Sequence, residues 1–333
     1  MKHTVFVTAL VGALVFAVGA SAGPLDESGN WPEARISPER ADIVSFSPFS
    51  LFDAARGSGD LIDADVVYYP PQGADRPAPA VVLLHGAGGV SQSREHTYAR
   101  QFAAQGVGAA IVNIFSPRGG FGFIERLMTI TEAMALADSF AVLDWLVARP
   151  EIDGERVAVI GFSYGGMSAT YAAYRQVVNA YLPDVPFAAH VAVYGPCIAR
   201  FEKIETTGAP IMMMWGTEDA IMDAAECAAT AQDLGEGGSE VVIETFDARH
   251  RWDSNSRHWR TPAHLADCRF RVGENGVAEH ATLPMHMSGP AMRTIMLGLC
   301  ANTDGYLIGG NAEVRVQSNA ALARFLNPVL FPN

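Results

Sequence analysis

The chain contains 333 residues, of which 49% are hydrophobic and 18% are charged. This composition is typical of a folded globular protein and is too apolar for a disordered chain. The formal net charge of −13 argues against nucleic acid or an anionic membrane surface as a partner, because either would require a basic face.

The first 22 residues have the pattern of a secretory signal. Lys2 and His3 form a positive start, residues 4–18 are uncharged and mainly apolar, and Ala-Ser-Ala at 20–22 is a small-x-small cleavage site. The apolar run is shorter than the about 20 residues that a membrane span needs, so we favour cleavage over an uncleaved anchor. The sequence thus predicts an exported protein, periplasmic or secreted, with no stable membrane insertion after cleavage.

Residues 23–60 are polar and irregular and predict an N-terminal arm. Beyond the arm, short apolar runs alternate with segments whose apolar residues are three or four apart, as in helices. The predicted strands cover residues 64–69, 78–84, 108–115, 156–162, 188–194, 210–215 and 240–246. The predicted helices cover residues 95–105, 130–148, 164–181 and 223–234, and Gly235 is expected to end the last of these.

Strands that are apolar on both faces are typical of a parallel sheet covered on both sides. The alternation therefore predicts an α/β fold with a doubly wound, mostly parallel sheet and helices on both faces. Function in such sheets lies at the C-terminal ends of the strands. We predict a single domain over residues 23–333, with a late insert at 254–316 whose first part, 254–291, is expected to cover the site.

Four cysteines are present, and their spacings of 30, 41 and 32 residues exclude a close zinc or redox pair. An oxidising compartment permits disulfides, and four cysteines allow three connectivities. Cys268 and Cys300 both lie in the irregular late segment, so we favour a bridge between them. Cys197 and Cys227 either pair or remain buried thiols.

Residues 161–165 read Gly-Phe-Ser-Tyr-Gly and fit the pattern G-x-S-x-G. They follow a predicted strand and open a predicted helix, which is the context of a nucleophile elbow. The sharp turn exposes the Ser163 hydroxyl, and Gly161 and Gly165 leave the space that the turn needs. The helix start supplies N–H groups for developing negative charge. We predict Ser163 as the nucleophile.

A serine nucleophile needs a base, and the base needs an orienting acid, in the chain order Ser, acid, His. His250 follows the predicted strand 240–246 and is the predicted base. His190 lies inside a predicted strand and is expected in the core. The other histidines after the nucleophile lie in irregular sequence and are expected at the surface: His258, His264, His280 and His286.

The acid is expected after the strand at 210–215, where Gly-Thr-Glu-Asp occupies residues 216–219. Glu218 and Asp219 both qualify, and a G-x-x-D turn would point the aspartate back toward the site, so Asp219 is favoured. Both positions would also suit an N-cap or first-turn acid of the helix that begins at Asp223. Asp247 and Asp253 flank the histidine and are less favoured.

His-Gly-Ala-Gly-Gly at residues 85–89 follows the predicted strand 78–84. A hydrolase with a nucleophile elbow on such a sheet takes one oxyanion-hole amide from this loop and the second from the residue after the nucleophile. We predict the backbone amides of Ala87 and Tyr164 in these roles, with His85 shaping the turn. The segment lacks the lysine of a P-loop and the G-x-G-x-x-G spacing, so nucleotide binding is not expected.

Arg118 follows the predicted strand 108–115 at the same functional edge. Its guanidinium could bind a substrate carboxylate through a forked contact, or it could stabilise its own loop, and the sequence leaves both open. No cluster of His, Cys and Asp has metal-ligand spacing, so the sequence requires no metal.

These motifs together resemble the dienelactone hydrolase family of α/β-hydrolases. The matching segments are residues 85–89, 115–120, 161–166, 215–222 and 246–253. The resemblance extends over residues 60–333 and includes the late segment at 267–269 and a closing helix at 320–326. It implies an α/β-hydrolase fold, a small-molecule ester as substrate and no cofactor.

The chain departs from the family at one position. Dienelactone hydrolase itself has a cysteine nucleophile, whereas this chain has Ser163. The serine favours a general carboxylic ester hydrolase with an acyl-enzyme mechanism. Two alternatives stay open, a serine peptidase or amidase on the same fold and a catalytically silent binding protein. The sequence fixes neither the natural ester nor the oligomeric state.

Overall fold

The computed structural model describes residues 23–74, 77–119, 122–181, 186–255 and 257–332. The predicted signal at residues 1–22 lies outside this part of the chain. No helix in the described ranges is long and apolar enough to cross a bilayer.

The described elements alternate between strand and helix over most of the chain. The strands are β1 (Glu39–Ser47), β2 (Asp60–Tyr69), β3 (Ala78–Leu84), β4 (Gly108–Asn113), β5 (Ile152–Phe162), β6 (Ala189–Val193), β7 (Ala199–Phe201), β8 (Ile211–Gly216), β9 (Val241–Phe246), β10 (Trp259–Arg260), β11 (Phe270–Val272), β12 (Ala278–His280) and β13 (Leu307–Ile308). The helices are α1 (Leu51–Ala54), α2 (Glu95–Ala104), α3 (Phe123–Thr129), α4 (Glu132–Val147), α5 (Tyr164–Tyr171), α6 (Arg175–Tyr181), α7 (Ala224–Glu236), α8 (Pro290–Gly298) and α9 (Ala312–Leu330). A short 3₁₀ turn covers Ser116–Arg118.

The central sheet has the strand order β1-β2-β4-β3-β5-β6-β8-β9. The six strands from β4 to β9 in this order pair in parallel, and β2 pairs antiparallel with both β1 and β4. The sheet is therefore doubly wound and mostly parallel, as the sequence predicts. Strand order reverses between β3 and β5, and ligands of open α/β sheets bind at the carboxyl ends of strands at such a switch point.

Helices cover both faces of the sheet. Every residue of β3 is buried, and its side chains alternate between two apolar clusters. Val82 packs with α4 and α5 on one face, while Val81 packs with α2 and α9 on the other. This two-sided burial explains why the central strands are continuous apolar runs in the sequence.

The N-terminal arm differs from its prediction as an irregular segment over residues 23–60. β1 lies within this range, pairs with β2 over nine residues and forms the edge of the sheet. Its side chains alternate between the core and solvent, with Ile43 buried and Val44 66% exposed. A half-exposed edge strand has no continuous apolar run, so the sequence pattern did not reveal it.

The helices differ from their predicted bounds in three places. The helix predicted over residues 164–181 is two helices, α5 and α6, separated at residues 172–174. α7 continues through Gly235, and its C-terminal cap is Gly237. The closing helix begins at Ala312, so it overlaps the last residues of the insert predicted to end at 316.

The late insert contains α8 and short strands in two small sheets, β10-β13 and β12-β11-β7. A disulfide joins Cys268 to Cys300 inside this segment, as favoured from the sequence. A second disulfide joins Cys197, just before β7, to Cys227 in α7. The first bridge ties two parts of the insert together, and the second ties the segment before β7 to α7.

The first and last described segments lie side by side. The Leu25 amide donates to Asn327 Oδ1 at 2.7 Å, and Asn327 Nδ2 donates to the Leu25 carbonyl at 3.1 Å. Asn319 Nδ2 donates to the Gly29 carbonyl, also at 3.1 Å. Two asparagines of α9 therefore hold the start of the arm.

Candidate active site

Ser163 lies between β5 and α5, at the point where the strand turns into the helix. Its backbone has φ +54° and ψ −111°, which few residues other than glycine adopt. Two hydrogen bonds hold this conformation: the Ser163 amide donates to the Val193 carbonyl at 2.9 Å, and the Met167 amide donates to the Ser163 carbonyl at 3.0 Å. The sharp turn places the hydroxyl at the carboxyl edge of the sheet.

The two glycines around Ser163 are required by close backbone packing. A Cβ at Gly161 would lie 1.9 Å from the Gly165 carbonyl oxygen, and a Cβ at Gly165 would lie 2.3 Å from the Leu84 carbonyl oxygen. Any side chain at either position would overlap backbone atoms. The spacing of the motif therefore follows from the packing of β3, β5 and α5.

The structure brings Ser163, His250 and Asp219 together in one hydrogen-bonded chain. His250 Nε2 lies 2.9 Å from Ser163 Oγ, and His250 Nδ1 lies 2.7 Å from Asp219 Oδ2. A proton on Nδ1 satisfies both contacts, because the imidazole then donates to the carboxylate and accepts from the hydroxyl. His250 and Asp219 are both buried, so solvent competes little for these bonds.

Glu218 and Asp219 point in different directions. Asp219 is held by a turn in which its amide donates to the Gly216 carbonyl at 3.2 Å, and its Oδ1 accepts from the Ile221 amide at 3.2 Å. Glu218 is exposed and pairs with Arg249 at 3.1 Å. Of the two acids that the sequence left open, Asp219 is the one in contact with the imidazole.

Ala87 and Tyr164 lie beside Ser163 and line the same pocket. Within the described part of the chain, neither backbone amide donates a hydrogen bond to another residue. The loop carrying Ala87 is closed by a turn in which the Gly89 amide donates to the Gly86 carbonyl at 2.9 Å. Both amides are thus available to a ligand atom at the end of β3 and the start of α5.

His85 shapes the loop after β3. It is fully buried, its Nδ1 donates to the Gly86 carbonyl at 2.8 Å, and its Nε2 accepts from the Ile114 amide at 3.0 Å. Burial lowers the pKa of His85 to about 4, so the ring is neutral near pH 7. Both ring nitrogens serve the backbone, which agrees with a structural role.

Arg118 does not join the pocket that contains Ser163. Its guanidinium donates two bonds to Asp138, from Nη1 to Oδ2 at 2.6 Å and from Nη2 to Oδ1 at 2.9 Å. Nη1 also donates to the Ile114 carbonyl at 2.7 Å. The forked contact considered for a substrate carboxylate is thus made inside the protein, which favours the loop-stabilising alternative.

A buried polar cluster behind the imidazole was missed in the sequence. The Tyr194 ring packs on the His250 ring with centroids 4.5 Å apart, and its hydroxyl donates to Asp253 Oδ1 at 2.5 Å. Arg94 Nη1 donates to the same hydroxyl at 3.4 Å and pairs with Glu95 at 2.6 Å. Burial raises the pKa of both Tyr194 and Asp253. The position of Tyr194 at the end of a predicted strand is the one signal that could have found it.

The late insert supplies the opposite side of the site. The Tyr306 ring meets the His250 ring edge-on at 5.7 Å, and the Gly309 amide donates to the His250 carbonyl at 3.1 Å. His264, expected at the surface, instead lines the pocket beside Tyr306. Nothing in the local sequence around these residues indicates that they reach the catalytic loop.

The remaining histidines that the structure describes lie away from the pocket, and none of them belongs to a metal site. His190 is fully buried in β6 and contacts the Ala169 carbonyl through Nδ1 at 3.1 Å, as expected of a core residue. His258 and His286 are exposed, and His280 is half-buried. Among the described residues, no group of three or more His, Cys, Asp or Glu side chains is arranged to bind a metal ion.

The pocket over Ser163 has a volume of about 50 Å³. Its walls are mainly apolar, and they come from α3, α5, the segment before β7, the loop after β8 and the insert: Phe123, Leu127, Met167, Ile198, Ile221 and Leu265. No Lys, Arg, Asp or Glu lines it in the described part of the chain. The pocket therefore suits an uncharged, apolar group next to the hydroxyl.

The doubly wound sheet and the serine at the β5–α5 turn define an α/β-hydrolase. The family model of the dienelactone hydrolase family matches residues 64–271, which is more than half of the chain. The protein therefore belongs to the dienelactone hydrolase family. No curated protein matches the chain.

Solved structures of related fold are found at low sequence identity. P91, described as a dienelactone hydrolase-like promiscuous phosphotriesterase from metagenomic libraries, is 16% identical with a TM-score of 0.51, over 88% of this chain and 99% of that chain. MGS-M1, an α/β-hydrolase from a deep-sea metagenome library, is 17% identical with a TM-score of 0.51, over 88% and 98%. A protein from Klebsiella pneumoniae, provisionally described as a dienelactone hydrolase, is 21% identical with a TM-score of 0.46, over 64% and 88%. At these identities the likeness is one of fold.

Proposed function

We propose that this protein is a serine-dependent carboxylic ester hydrolase that works through an acyl-enzyme. The observation that supports it most is the hydrogen-bonded chain from Ser163 through His250 to Asp219 at the strand-to-helix turn. A serine hydroxyl alone is a weak nucleophile, and this arrangement provides the base and the orienting acid that it needs.

In the first half of the reaction, Ser163 Oγ attacks the ester carbonyl carbon while His250 Nε2 takes the hydroxyl proton. The Asp219 carboxylate stabilises the imidazolium that forms. The carbonyl oxygen becomes an oxyanion and accepts hydrogen bonds from the Ala87 and Tyr164 amides. When the tetrahedral intermediate collapses, the bond to the alkoxide breaks, and His250 donates its proton to the leaving oxygen.

In the second half, a water molecule attacks the acyl carbon and gives a proton to His250. Collapse of the second intermediate breaks the bond to Ser163 Oγ, which recovers the proton from the imidazolium. The products are an alcohol and a carboxylic acid, and the triad returns to its starting state. Besides the ester, the scheme uses only residues of the protein and one water molecule.

The pocket favours a neutral ester over a substrate with a carboxylate. Arg118, which could have bound such a group, is paired with Asp138, and the pocket walls contain no Lys or Arg in the described ranges. A carboxylate in this mainly apolar pocket would lose its hydration without gaining a guanidinium or ammonium partner.

We also propose that the protein is exported. The pattern at residues 1–22 is that of a cleavable signal, and both disulfides are of the kind that persists in an oxidising compartment. The proposal places the protein in the periplasm or outside the cell.

The proposed activity can be tested with p-nitrophenyl acetate and a fluorophosphonate label. We expect turnover by the wild type and a loss of at least about 10⁴-fold in kcat for Ser163→Ala, as for other enzymes of this mechanism. Mass spectrometry should find the label on Ser163.

Two results would change the proposal. A folded wild type with neither turnover nor label would favour the catalytically silent binding protein. Faster cleavage of p-nitroanilides than of matched nitrophenyl esters would favour the amidase. Ser168→Ala is a matched control, because Ser168 lies on the same helix but is buried with its hydroxyl bonded to the Tyr164 carbonyl.

A further inference from the structure

A second cavity lies beside the catalytic pocket, outside the residues that perform the proposed chemistry. Its volume is about 100 Å³, about twice that of the pocket over Ser163. Its walls are mainly apolar and come from α4, α5, β7 and the insert, including Leu136, Tyr171, Phe201, Phe270 and Leu297. Protein interiors have few voids larger than a water molecule, so an apolar space of this size is unusual.

The two cavities share walls. Ile198 and Leu265 line both of them, so the two spaces meet at these side chains. Both are also aligned along α5. Met167 lines the catalytic pocket and Tyr171, four residues later on the same face of the helix, lines the second cavity. A group that extends about 12 Å from Ser163 along α5 would reach the level of Tyr171, where the second cavity lies.

The charge of the second cavity is balanced within the protein. Arg293 is the one basic residue among its described walls, and it is buried. Its guanidinium pairs with Glu132 at 3.2 Å and donates to the Leu127 carbonyl at 3.1 Å. The pair leaves no net charge for a ligand, so the cavity suits an uncharged apolar group rather than a second carboxylate.

We propose that the second cavity is an acyl subsite that receives the apolar chain of a medium-length fatty acyl ester. This inference rests on the proposed function, because it requires an ester bound at Ser163. The size agrees: an apolar protein cavity of roughly 150 Å³ can hold a benzene ring, so this one can hold the end of a short alkyl chain. The insert then determines the substrate, since it supplies Leu265, Phe270 and Leu297.

The first experiment varies the acyl chain with a constant leaving group. We expect kcat/KM for p-nitrophenyl esters to rise from acetate through hexanoate to octanoate, by about fourfold for each methylene that becomes buried. To distinguish the acyl side from the alcohol side, methyl octanoate is compared with octyl acetate. Preference for octyl acetate, or a flat or falling acyl series, would overturn the proposal.

The second experiment fills the cavity. Ala278 lines it from β12, and a phenyl ring in Ala278→Phe would occupy the space. We expect the octanoate-to-acetate ratio of kcat/KM to fall at least tenfold, with acetate turnover retained. Ala281→Phe makes the same change three residues away at an exposed position outside the cavity, and its ratio should equal that of the wild type. Equal ratios in the wild type and a folded Ala278→Phe would contradict the subsite.

A third measurement needs no variant. The wild type is labelled at Ser163 with a p-nitrophenyl methylphosphonate or octylphosphonate ester, and the melting temperature of each adduct is measured. Because only the octyl chain can reach the second cavity, we expect the octyl adduct to melt at the higher temperature. Equal melting temperatures would count against the subsite. Failure of both reagents to label Ser163 would count against the proposed function instead.

Discussion

The turn that presents the Ser163 hydroxyl requires an unfavourable backbone conformation at this residue. A non-glycine residue at φ +54° is under strain of about 1–3 kcal/mol, and the two backbone hydrogen bonds to Val193 and Met167 oppose its relaxation. Around it, His250 is held on one face by Tyr194, at its edge by Tyr306, and at Nδ1 by Asp219. The imidazole is therefore oriented before any substrate binds.

Asp219 contacts His250 whereas the adjacent Glu218 does not, and this difference can be tested. Asp219→Asn keeps the side-chain shape but can no longer act as a carboxylate partner for His250, and the wrong tautomer is favoured. We expect kcat to fall by about 10⁴-fold, as in other triads. The measurement is kcat for a short-chain nitrophenyl ester.

Glu218→Gln is the matched control, because Glu218 directly precedes Asp219 but is exposed and pairs with Arg249 at the surface. Its kcat should remain within about twofold of the wild type, since exposed ion pairs contribute little. Equal losses in the two variants would remove Asp219 from its proposed role.

The sequence indicated the proposed catalytic residues better than the residues that hold them in position. Ser163, Asp219 and His250 each follow a predicted strand, and the carboxyl ends of parallel strands meet at one edge, so their proximity was predictable. The contacts of Asp253, Arg94 and Tyr306 depend on how distant segments pack. No local pattern encodes such packing, and for Arg118 the same limit left two roles open until Asp138 was seen beside it.

At the scale of elements, β3, β5 and α5 approach one another as closely as their backbones allow. The start of α5 lies against the end of β3, and the Gly165 amide donates to the His85 carbonyl at 3.1 Å. This contact links the nucleophile turn to the loop that contains Ala87. The distance between the two proposed oxyanion donors is thus set by backbone packing.

Adding one methyl group at this contact tests the argument. Gly165→Ala would place a Cβ 2.3 Å from the Leu84 carbonyl oxygen, and backbone atoms cannot move aside as a flexible side chain can. We expect the free energy of unfolding to fall by about 3 kcal/mol or more, with loss of esterase activity. Urea unfolding and ester turnover are the measurements.

Gly235→Ala makes the same change in α7, where, among the described residues, no atom beyond the neighbouring turns of the helix lies within 4 Å of the added methyl group. Because alanine is the better helix former, this variant should gain up to about 1 kcal/mol and keep full activity. A folded and active Gly165→Ala would show that the approach of α5 to β3 is looser than described.

The bounds of a strand could be predicted from the sequence where all of its side chains are buried. The bounds of β3 agree with the predicted strand at 78–84, because every one of its side chains is buried. β1 was missed because one of its faces meets solvent, and the break between α5 and α6 was missed because their apolar spacing continues across it. The short strands of the insert have two or three residues each, too few to show a period.

For the whole molecule, two buried neutral histidines contribute to the response to acid. Burial lowers the pKa of both His85 and His190 to about 4, against 6.5 in an exposed chain. Between these values the unfolded chain binds protons that the native state does not. The stability contributed by each ring is therefore present above pH 6.5 and is lost as the pH falls toward 4, by about 3 kcal/mol per ring.

We expect the free energy of unfolding in urea to decrease steeply from pH 7 to pH 4.5. In His190→Gln, which keeps a donor near the Ala169 carbonyl but cannot titrate, the decrease should be smaller by about 2 kcal/mol or more. His258→Gln replaces an exposed histidine and should follow the wild type. The expectation fails if His190→Gln and the wild type lose stability in parallel.

The hydrogen bonds between the arm and α9 also set an order of events during synthesis. Leu25 and Asn327 are 302 positions apart, so α9 is synthesised long after the part of the arm that it binds. The arm also contacts α2, where the Trp31 ring packs against Tyr98 and Phe102, and these partners are synthesised much earlier. The contacts of Leu25 with α9 therefore form late, after the contacts of Trp31 with α2 have become possible.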